Sequence, residues 1–176
     1  MELFEAIETR RSVRSFKPDA VPHGLADKIA KAGTFAATGR NAQSPIIIQI
    51  ENRELRDRIS KMNAAVMGAD GDPFYGAPLI FAVLADRTVS THVYDGSLVI
   101  GSMMLAAHAL GLGSCWIHRA KEEFDGEEGK EILRELGITG DYEGIGHLAV
   151  GYTAGEYPAG EYPEAKPRKN GYIIKA

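Results

Sequence analysis

One segment of this chain, residues 91–112, is predicted to form a helix that is apolar on nearly every side. A helix without a polar face must be covered all round, so it is either central in its domain or part of a subunit interface. Small residues such as Gly101 and Ala106 would let neighbouring helices approach closely. Its most apolar part, residues 97–112, contains His108 and is too short and too polar to span a bilayer.

The rest of the chain alternates between helical and strand-like patterns. Apolar residues recur at helical spacing in three further segments, residues 25–36, 55–66 and 127–136. Asn52 is a predicted N-cap for the second of these. Short apolar runs predict strands at residues 46–50, 79–85, 114–118 and 147–152. At 176 residues, this alternation predicts a single layered domain, residues 1–176, of α/β or α+β class.

Charge and cysteine content restrict the partners and the compartment. The formal net charge is −4, whereas a domain that binds duplex nucleic acid is expected to be basic. A single cysteine cannot form an internal disulfide, which favours a reducing compartment. The first residues, MELFEAIETRR, lack the apolar region of a signal peptide. We therefore expect a cytoplasmic protein that binds neither nucleic acid nor a membrane.

Basic residues concentrate at two distant places in this acidic chain. Arg10, Arg11 and Arg14 lie early, and residues 166–169 read Lys-Pro-Arg-Lys. Arginine matches phosphate oxygens with a planar fork, and Ser12 adds a hydroxyl donor, so a phosphate site is one interpretation. A solvated charged surface explains the same residues from charge alone. A nucleic-acid arm is disfavoured because the clusters lack interleaved aromatic residues.

Several common functional motifs are absent from the sequence. There is no GxGxxG turn after a strand, no GxxxxGK[ST] phosphate loop and no GxSxG elbow. The histidines lack metal-binding spacing, so no metal site is predicted. His108 is predicted to be a buried, hydrogen-bonded side chain. Cys115 is predicted to be a small buried residue rather than a nucleophile.

The C-terminal part differs from the rest in composition. Residues 154–158 read AGEYP, and residues 159–163 repeat them. Glycine, proline and tyrosine in such a segment cannot form a core of their own. We therefore divide the chain into a core, residues 1–152, and an extended arm, residues 153–176, that lies on another surface.

Five segments carry a family resemblance through their motifs and their order. They are residues 2–16, 36–45, 76–78, 110–116, and 151–152 with 166–169. In this order they resemble the flavin-dependent nitroreductase family, which opens with a short helix ending in RRSxR and an aromatic residue and closes with a glycine-ended strand and a K-x-R arm. This chain departs at Ala37, where proline is usual, at Arg40, and at His118-Arg119, where acid-Gly or Gly-Gly is common.

The resemblance implies an α+β nitroreductase-like fold with a central, mostly antiparallel sheet flanked by helices. It also implies an intertwined homodimer with flavin mononucleotide (FMN) at the subunit interface and the C-terminal arm on the partner. The early residues Arg10, Arg11, Ser12 and Arg14 would lie along the phosphate, ribityl chain and ring, and the arm would reach the same phosphate with Lys166 and Arg168. Asn41 and Asn63 would hold the flavin, and the backbone of residues 117–119 would face its N5 atom. The implied cofactor-binding residues are Arg10, Arg11, Ser12, Arg14, Asn41, Asn63, Ile117, His118, Lys166 and Arg168.

The chemistry implied by the resemblance needs no catalytic side chain. Hydride from NAD(P)H would pass through flavin N5 to a small nitroaromatic or quinone-type acceptor by a ping-pong mechanism, since the cofactor performs the redox step. The alternatives are a specialised relative, either a reductive dehalogenase or a flavin-consuming enzyme, and a flavin-binding or flavin-sensing module without turnover. Asn63 could instead be a surface amide of its helix, and His118 a polar residue at a strand end.

Overall fold

The strands form one antiparallel sheet in the computed structural model, which describes residues 1–155 and 163–176. They are β1 (Pro45–Ile50), β2 (Leu79–Asp86), β3 (Gly113–Ile117) and β4 (Tyr142–Gly151). Their order across the sheet is β1-β2-β4-β3, and every neighbouring pair is antiparallel. The predicted α+β class with a central antiparallel sheet is confirmed. The strand predicted at residues 147–152 begins earlier, at Tyr142.

Helices cover both faces of this sheet. They are α1 (Leu3–Thr9), α2 (His23–Thr34), α3 (Arg53–Met67), α4 (His92–Ala109), α5 (Ala120–Asp125) and α6 (Glu127–Glu135). The Asn52 side chain accepts a hydrogen bond from the Leu55 amide at 2.9 Å, which confirms the predicted N-cap of α3. Helix α5 was not predicted, because six residues are too few to show a helical period.

The alternation of side chains along β2 divides the core into two layers. Leu79, Phe81 and Val83 belong to the apolar cluster that contains residues of α2 and α4. Ile80 and Leu84 belong to the cluster on the opposite face, which contains residues of α3, α5 and α6. All five are at most 1% exposed, and burial of each such side chain contributes roughly 1.5–3 kcal/mol. The sheet is therefore the middle layer of three.

Helix α4 is covered on one side only within a single chain. Val99, Ile100 and Met103 are buried against the sheet. Tyr94 and Leu98, one turn apart on the other side, are 72% and 52% exposed. The sequence predicted that α4 needs neighbours on every side. In the described part of the chain, the face with Tyr94 and Leu98 has none. No helix in the described part of the chain is long and apolar enough to cross a membrane.

The tandem AGEYP repeat falls mainly on residues 156–162, which lie outside the described residues. Before them, Ala154 donates its amide hydrogen to the Ser15 carbonyl at 3.0 Å. After them, Pro163 accepts a hydrogen bond from Arg11 Nε at 3.0 Å. The two described ends of the arm therefore both contact the segment that follows α1.

A close backbone approach joins α5 to β4. A β-carbon built on Gly144 would overlap the carbonyl group of Ala120 and approach the amide nitrogen of Lys121. Both neighbours are backbone atoms, so neither can move aside by a rotamer change. The pairing of β2 with β4 also shifts register beside this glycine, between Val83 and Leu84. Gly144 is therefore needed for the position of α5.

We expect Gly144→Ala to destabilise the protein by about 1–3 kcal/mol, because the added methyl group forces the backbones of α5 and β4 apart. The measurement is urea unfolding at fixed protein concentration. Gly24→Ala is the matched control, since nothing lies within 4 Å of a β-carbon at that helical position. Equal midpoints for the two variants would show that α5 is free to shift.

Candidate functional site

The segment after α1 lies beside one edge of the sheet. The Val13 amide donates to the Ser114 carbonyl at 2.9 Å, and Ser12 pairs with Ser114 in a parallel bridge. Farther on, the Lys17 amide donates to the Tyr152 carbonyl at 2.8 Å. Ser114 is in β3 and Tyr152 follows β4. These bonds fix the predicted site residues 10–14 beside the beginning of β3.

Two buried polar atoms at this place have no hydrogen-bond partner among the described residues. They are Nη1 of Arg10 and Oγ of Ser114. Burial, together with the neighbouring Arg11 charge, lowers the pKa of Arg10 from its ordinary value. An unpartnered buried polar group is costly, and a second positive charge adds to that cost. A bound anion would accept a hydrogen bond from the unpartnered group and would neutralise part of the positive charge.

Arg11 is already engaged within the chain. Its Nη1 donates to the carbonyls of Glu8 and Arg10 at 2.7 and 2.8 Å, and its Nε donates to Pro163. It therefore ties α1 to the arm. Arg14 and Ser12 are exposed beside it. Lys166 and Arg168 are also exposed. Pro163, three residues before Lys166, accepts the Arg11 bond, so the described start of the arm lies beside the early cluster.

Two potentially reactive side chains near this cluster, Cys115 and His108, are buried. Burial raises the pKa of the Cys115 thiol, which is 3% exposed, so it stays protonated and unreactive near neutral pH. His108 is also buried and lies 2.8 Å from Thr9 Oγ1. Burial, with the charges of Arg10 and Arg11, lowers the pKa of His108. The predictions of a buried Cys115 and a buried, hydrogen-bonded His108 are confirmed.

The loop that carries Asn41 is strained. It holds Arg40, Asn41 and Gln43 at φ values of 54°, 55° and 49°, although none of the three is glycine. Each such conformation costs on the order of 1–3 kcal/mol and persists only where the surrounding structure enforces it. Strain of this kind clusters at functional sites. Asn41 itself is exposed, and its Oδ1 accepts a hydrogen bond from the Gln43 side chain at 3.2 Å.

A buried carboxylate at the start of α4 holds this loop in place. Asp95 accepts hydrogen bonds from the Gly39 amide and the Ser44 hydroxyl, both at 2.9 Å, and from the Thr91 hydroxyl at 3.0 Å. Burial alone would raise the pKa of Asp95, but these bonds outweigh it and the pKa lies below its ordinary value. The ionised Asp95 is therefore the anchor of the strained loop.

Asn41 does not lie beside the other predicted residues. Its loop leads into β1, whereas residues 10–14 and 117–119 adjoin β3, and these strands form opposite edges of the sheet. Three strand spacings of about 4.8 Å place the edges about 14 Å apart. A groove of about 340 Å³ lies on the β1 side, lined in part by Gly33, Pro45 and Ile47.

Asn63 is the centre of a buried hydrogen-bond network at the far end of β3. Its Nδ2 donates to the His118 carbonyl at 2.8 Å and also to the Glu123 carboxylate. Its Oδ1 accepts from Arg119 Nε at 3.0 Å. The second carboxylate oxygen of Glu123 lies 2.9 Å from His147 Nε2. Asn63 and His147 are fully buried, so the interpretation of Asn63 as a surface amide is wrong.

This network limits what Asn63 can offer to a ligand. Both Nδ2 hydrogens and one Oδ1 lone pair are committed inside the chain, and the side chain is fully buried, so Asn63 can act on a ligand only through the groups that it holds. Ile117 ends β3 and is buried, and His118, the next residue, is exposed. The residues that sequence reasoning missed are Glu123 and His147, and Arg119 was expected only as backbone at the strand end that faces the flavin. No local pattern could have found Glu123, because only the packing of α5 buries it.

The predicted residues thus form two groups along β3. The group around Arg10 and Ser12 lies at Ser114, and the group around Asn63 lies at His118. Four residues of strand separate these positions by about 13 Å. In the described part of the chain, no group of three or more His, Cys, Asp or Glu side chains is placed to hold a metal ion. The geometry fits an elongated ligand with an anion at one end.

Two known proteins are similar in sequence to much of this chain. The chain is 31% identical over 140 residues to a protein of Archaeoglobus fulgidus named for NADH dehydrogenase/NAD(P)H nitroreductase activity, covering 77% of this chain and 75% of that one. A protein of the same name from Methanothermobacter thermautotrophicus is 32% identical over 66% of this chain, and the match spans only 60% of its own length.

A solved structure extends the likeness to the whole chain. The crystal structure of a nitroreductase with bound FMN from Bacteroides fragilis superposes with a TM-score of 0.85 at 27% identity, covering 100% of this chain and 99% of that one. The sequence model of the nitroreductase family matches residues 7–72 and 67–152. The chain belongs to the nitroreductase family.

Proposed function

We propose that the protein is an FMN-dependent oxidoreductase that uses NAD(P)H to reduce small nitroaromatic or quinone-type acceptors. The observation that carries the proposal is the pair of polar groups about 13 Å apart along β3, one cationic and one built from amide and backbone groups. FMN has a phosphate at one end and a ring with hydrogen-bonding edges at the other. The FMN in the Bacteroides fragilis protein supports this cofactor, and the names of the two relatives support NAD(P)H and nitro acceptors.

The phosphate end would be held by the early arginines. A phosphate monoester carries about −1.5 to −2 charges near neutral pH and accepts several charge-assisted hydrogen bonds. Arg10 Nη1 and Ser114 Oγ are the unpartnered buried donors at this place. Ser12 and Arg14 are exposed beside them. Lys166 and Arg168 would add charge from the arm of a partner subunit.

The ring end would lie against the end of β3. Residues 117 and 118 would present backbone groups to the ring, and the buried Asn63 would hold them in place through its bond to the His118 carbonyl. Asn41 lies at the other edge of its own sheet, so it would reach the ring from the partner subunit.

FMN supplies hydride transfer at N5, so the chain itself needs no catalytic acid or base. The residues would bind and orient the cofactor and stabilise its charge. This agrees with the state of the two best local candidates, since Cys115 is a buried thiol and His108 is buried with a lowered pKa. One open face that takes NAD(P)H and then the acceptor accounts for a ping-pong mechanism.

A homodimer would cover the apolar surfaces that one chain leaves open. Tyr94, Leu98, Gly101 and Leu105 follow one another at helical spacing on the uncovered face of α4. Residues 172–174 of the arm, Tyr-Ile-Ile, are also exposed and need a surface to lie on. Interfaces of obligate homodimers commonly bury more than about 2,000 Å² and resemble a domain core. We place residues 153–176 on the partner for this reason.

We also propose a cytoplasmic location. NAD(P)H is an intracellular reductant, and Cys115 is a free cysteine buried in the core.

We expect Arg10→Ala to weaken FMN binding by about 10- to 150-fold, because a charge-assisted hydrogen bond to the phosphate contributes roughly 1.5–3 kcal/mol. The measurement is titration of the apoprotein with FMN, followed by flavin fluorescence. Arg168→Ala is expected to act in the same direction.

The matched control for FMN binding is Arg53→Ala, an exposed arginine whose contact is an ion pair with Asp57. Full FMN occupancy in both Arg10→Ala and Arg168→Ala would contradict the phosphate assignment. Release of FAD, or of no flavin after reconstitution with FMN, would contradict the proposed cofactor.

Initial rates of NAD(P)H oxidation should follow a ping-pong pattern, because donor and acceptor would use the same face in turn. We expect parallel lines in double-reciprocal plots with nitrofurazone or menadione as the varied acceptor. Intersecting lines would indicate a ternary complex. No acceptor-dependent oxidation by FMN-loaded protein would favour a binding or sensing module instead.

Leu98→Glu should break the dimer, because it places a charge on the uncovered apolar face of α4. Sedimentation velocity at micromolar concentration is expected to show a monomer, with the melting temperature lowered and FMN lost. Leu136→Glu is the control, since Leu136 is also exposed but lies at the end of α6. A wild-type protein that is a folded, FMN-loaded monomer would overturn the homodimer.

A further inference from the structure

We propose that Arg119 binds the anionic group of the electron acceptor, so that the enzyme prefers acceptors that carry a carboxylate or a phosphate. This inference rests on the proposed function and adds a substrate class to it. It is drawn from the conformation of Arg119, the buried network that holds it and the lack of a direct ion pair or other partner for its terminal nitrogens in the described residues.

The backbone of Arg119 is strained. Its φ is 81°, in the left-handed region that favours glycine. A glycine would adopt this conformation without penalty, whereas a side chain there costs on the order of 1–3 kcal/mol. Such strain persists where a side chain makes a contact that offsets it, and it is typical of functional sites. The contacts of the Arg119 side chain, rather than the shape of the turn, therefore account for an arginine at this position.

A buried chain of hydrogen bonds orients the guanidinium. Arg119 Nε donates to Asn63 Oδ1 at 3.0 Å. Asn63 is in turn held by the Glu123 carboxylate, which lies 2.9 Å from His147 Nε2. Because Asn63, Glu123 and His147 are at most 2% exposed, this chain has little freedom to move. It fixes one edge of the guanidinium and leaves the two terminal nitrogens for another partner.

Arg119 makes no direct ion pair with a carboxylate of the described residues. Glu123 is the nearest acid along the network, but Asn63 lies between its carboxylate and the guanidinium. Lys121, two residues farther on, is paired with Asp125 and Glu143 at 2.7 and 3.3 Å. Arg119 is only partly exposed, and the exposed His118 lies beside it. The result, within the described residues, is an oriented guanidinium whose two terminal nitrogens have no protein partner at the ring end of the site.

Carboxylates and phosphates are the groups that such a charge recognises. The planar fork of arginine donates two parallel hydrogen bonds to either group, and a fixed fork loses less entropy on binding. Because the guanidinium is partly exposed, water and salt weaken the attraction. We therefore expect a moderate preference among acceptors rather than an absolute requirement.

The test compares two acceptors that differ in charge, 4-nitrobenzoate and 4-nitrobenzamide. In the wild-type enzyme kcat/KM should be higher for the benzoate, and 0.5 M salt should reduce the difference. Arg119→Gly should lower the benzoate-to-benzamide ratio by about 10-fold, the low end for a charge-assisted hydrogen bond. Glycine suits this backbone conformation, so the variant should fold. Arg119→Lys, which keeps the charge without the fork, should lie between the two.

The control is Arg134→Gln, an exposed arginine on α6 that should leave the ratio within twofold of wild type. Binding of unreactive benzoate and benzamide to the oxidised, FMN-loaded protein, measured by calorimetry, gives a second readout without turnover. Arg119→Gly should weaken benzoate binding alone. Unchanged ratios and unchanged benzoate binding would overturn the inference. If neither nitro compound is reduced, the proposed function fails, and the benzoate titration still decides the role of Arg119.

Discussion

The close contact between α5 and β4 is the constraint on which the candidate site depends. Gly144 has no side chain, so the backbone at Ala120 can lie directly against β4. This contact carries Glu123 into the core, where it meets His147 on the same strand. Asn63 and, through it, Arg119 then take their positions. The lack of a side chain at Gly144 thus determines how closely α5 approaches β4. The position of α5 in turn determines the buried network of polar groups.

The sequence predicted the parts of the fold whose burial is local. Strand β2 is a continuous apolar run, and both of its faces are covered, as such a run indicates. Asn52 caps α3 because an amide side chain before a helical period has one obvious hydrogen-bond partner. The apolar character of α4 was equally plain, although only the structure shows which of its faces one chain leaves open.

The candidate site was harder to predict because it depends on contacts between distant elements. Arg10 could be found from charge and from the resemblance to a family, since arginines next to each other are costly without an anion. Glu123 could not, because a glutamate in an acidic run is ordinarily exposed. The place of Asn41 also could not be predicted, because β1 and β3 reach opposite edges only through the non-sequential strand order.

The separation of Asn41 from the other residues has a genetic consequence. If each cofactor site combines the β3 edge of one chain with the strained loop of the other, then a single chain does not contain all the residues of one site. Two chains with different defects, one at Arg10 and one at Asn41, would assemble into mixed dimers. In each mixed dimer one site would carry both defects and the other would carry none. Two inactive alleles could therefore restore part of the activity when they are expressed in the same cell.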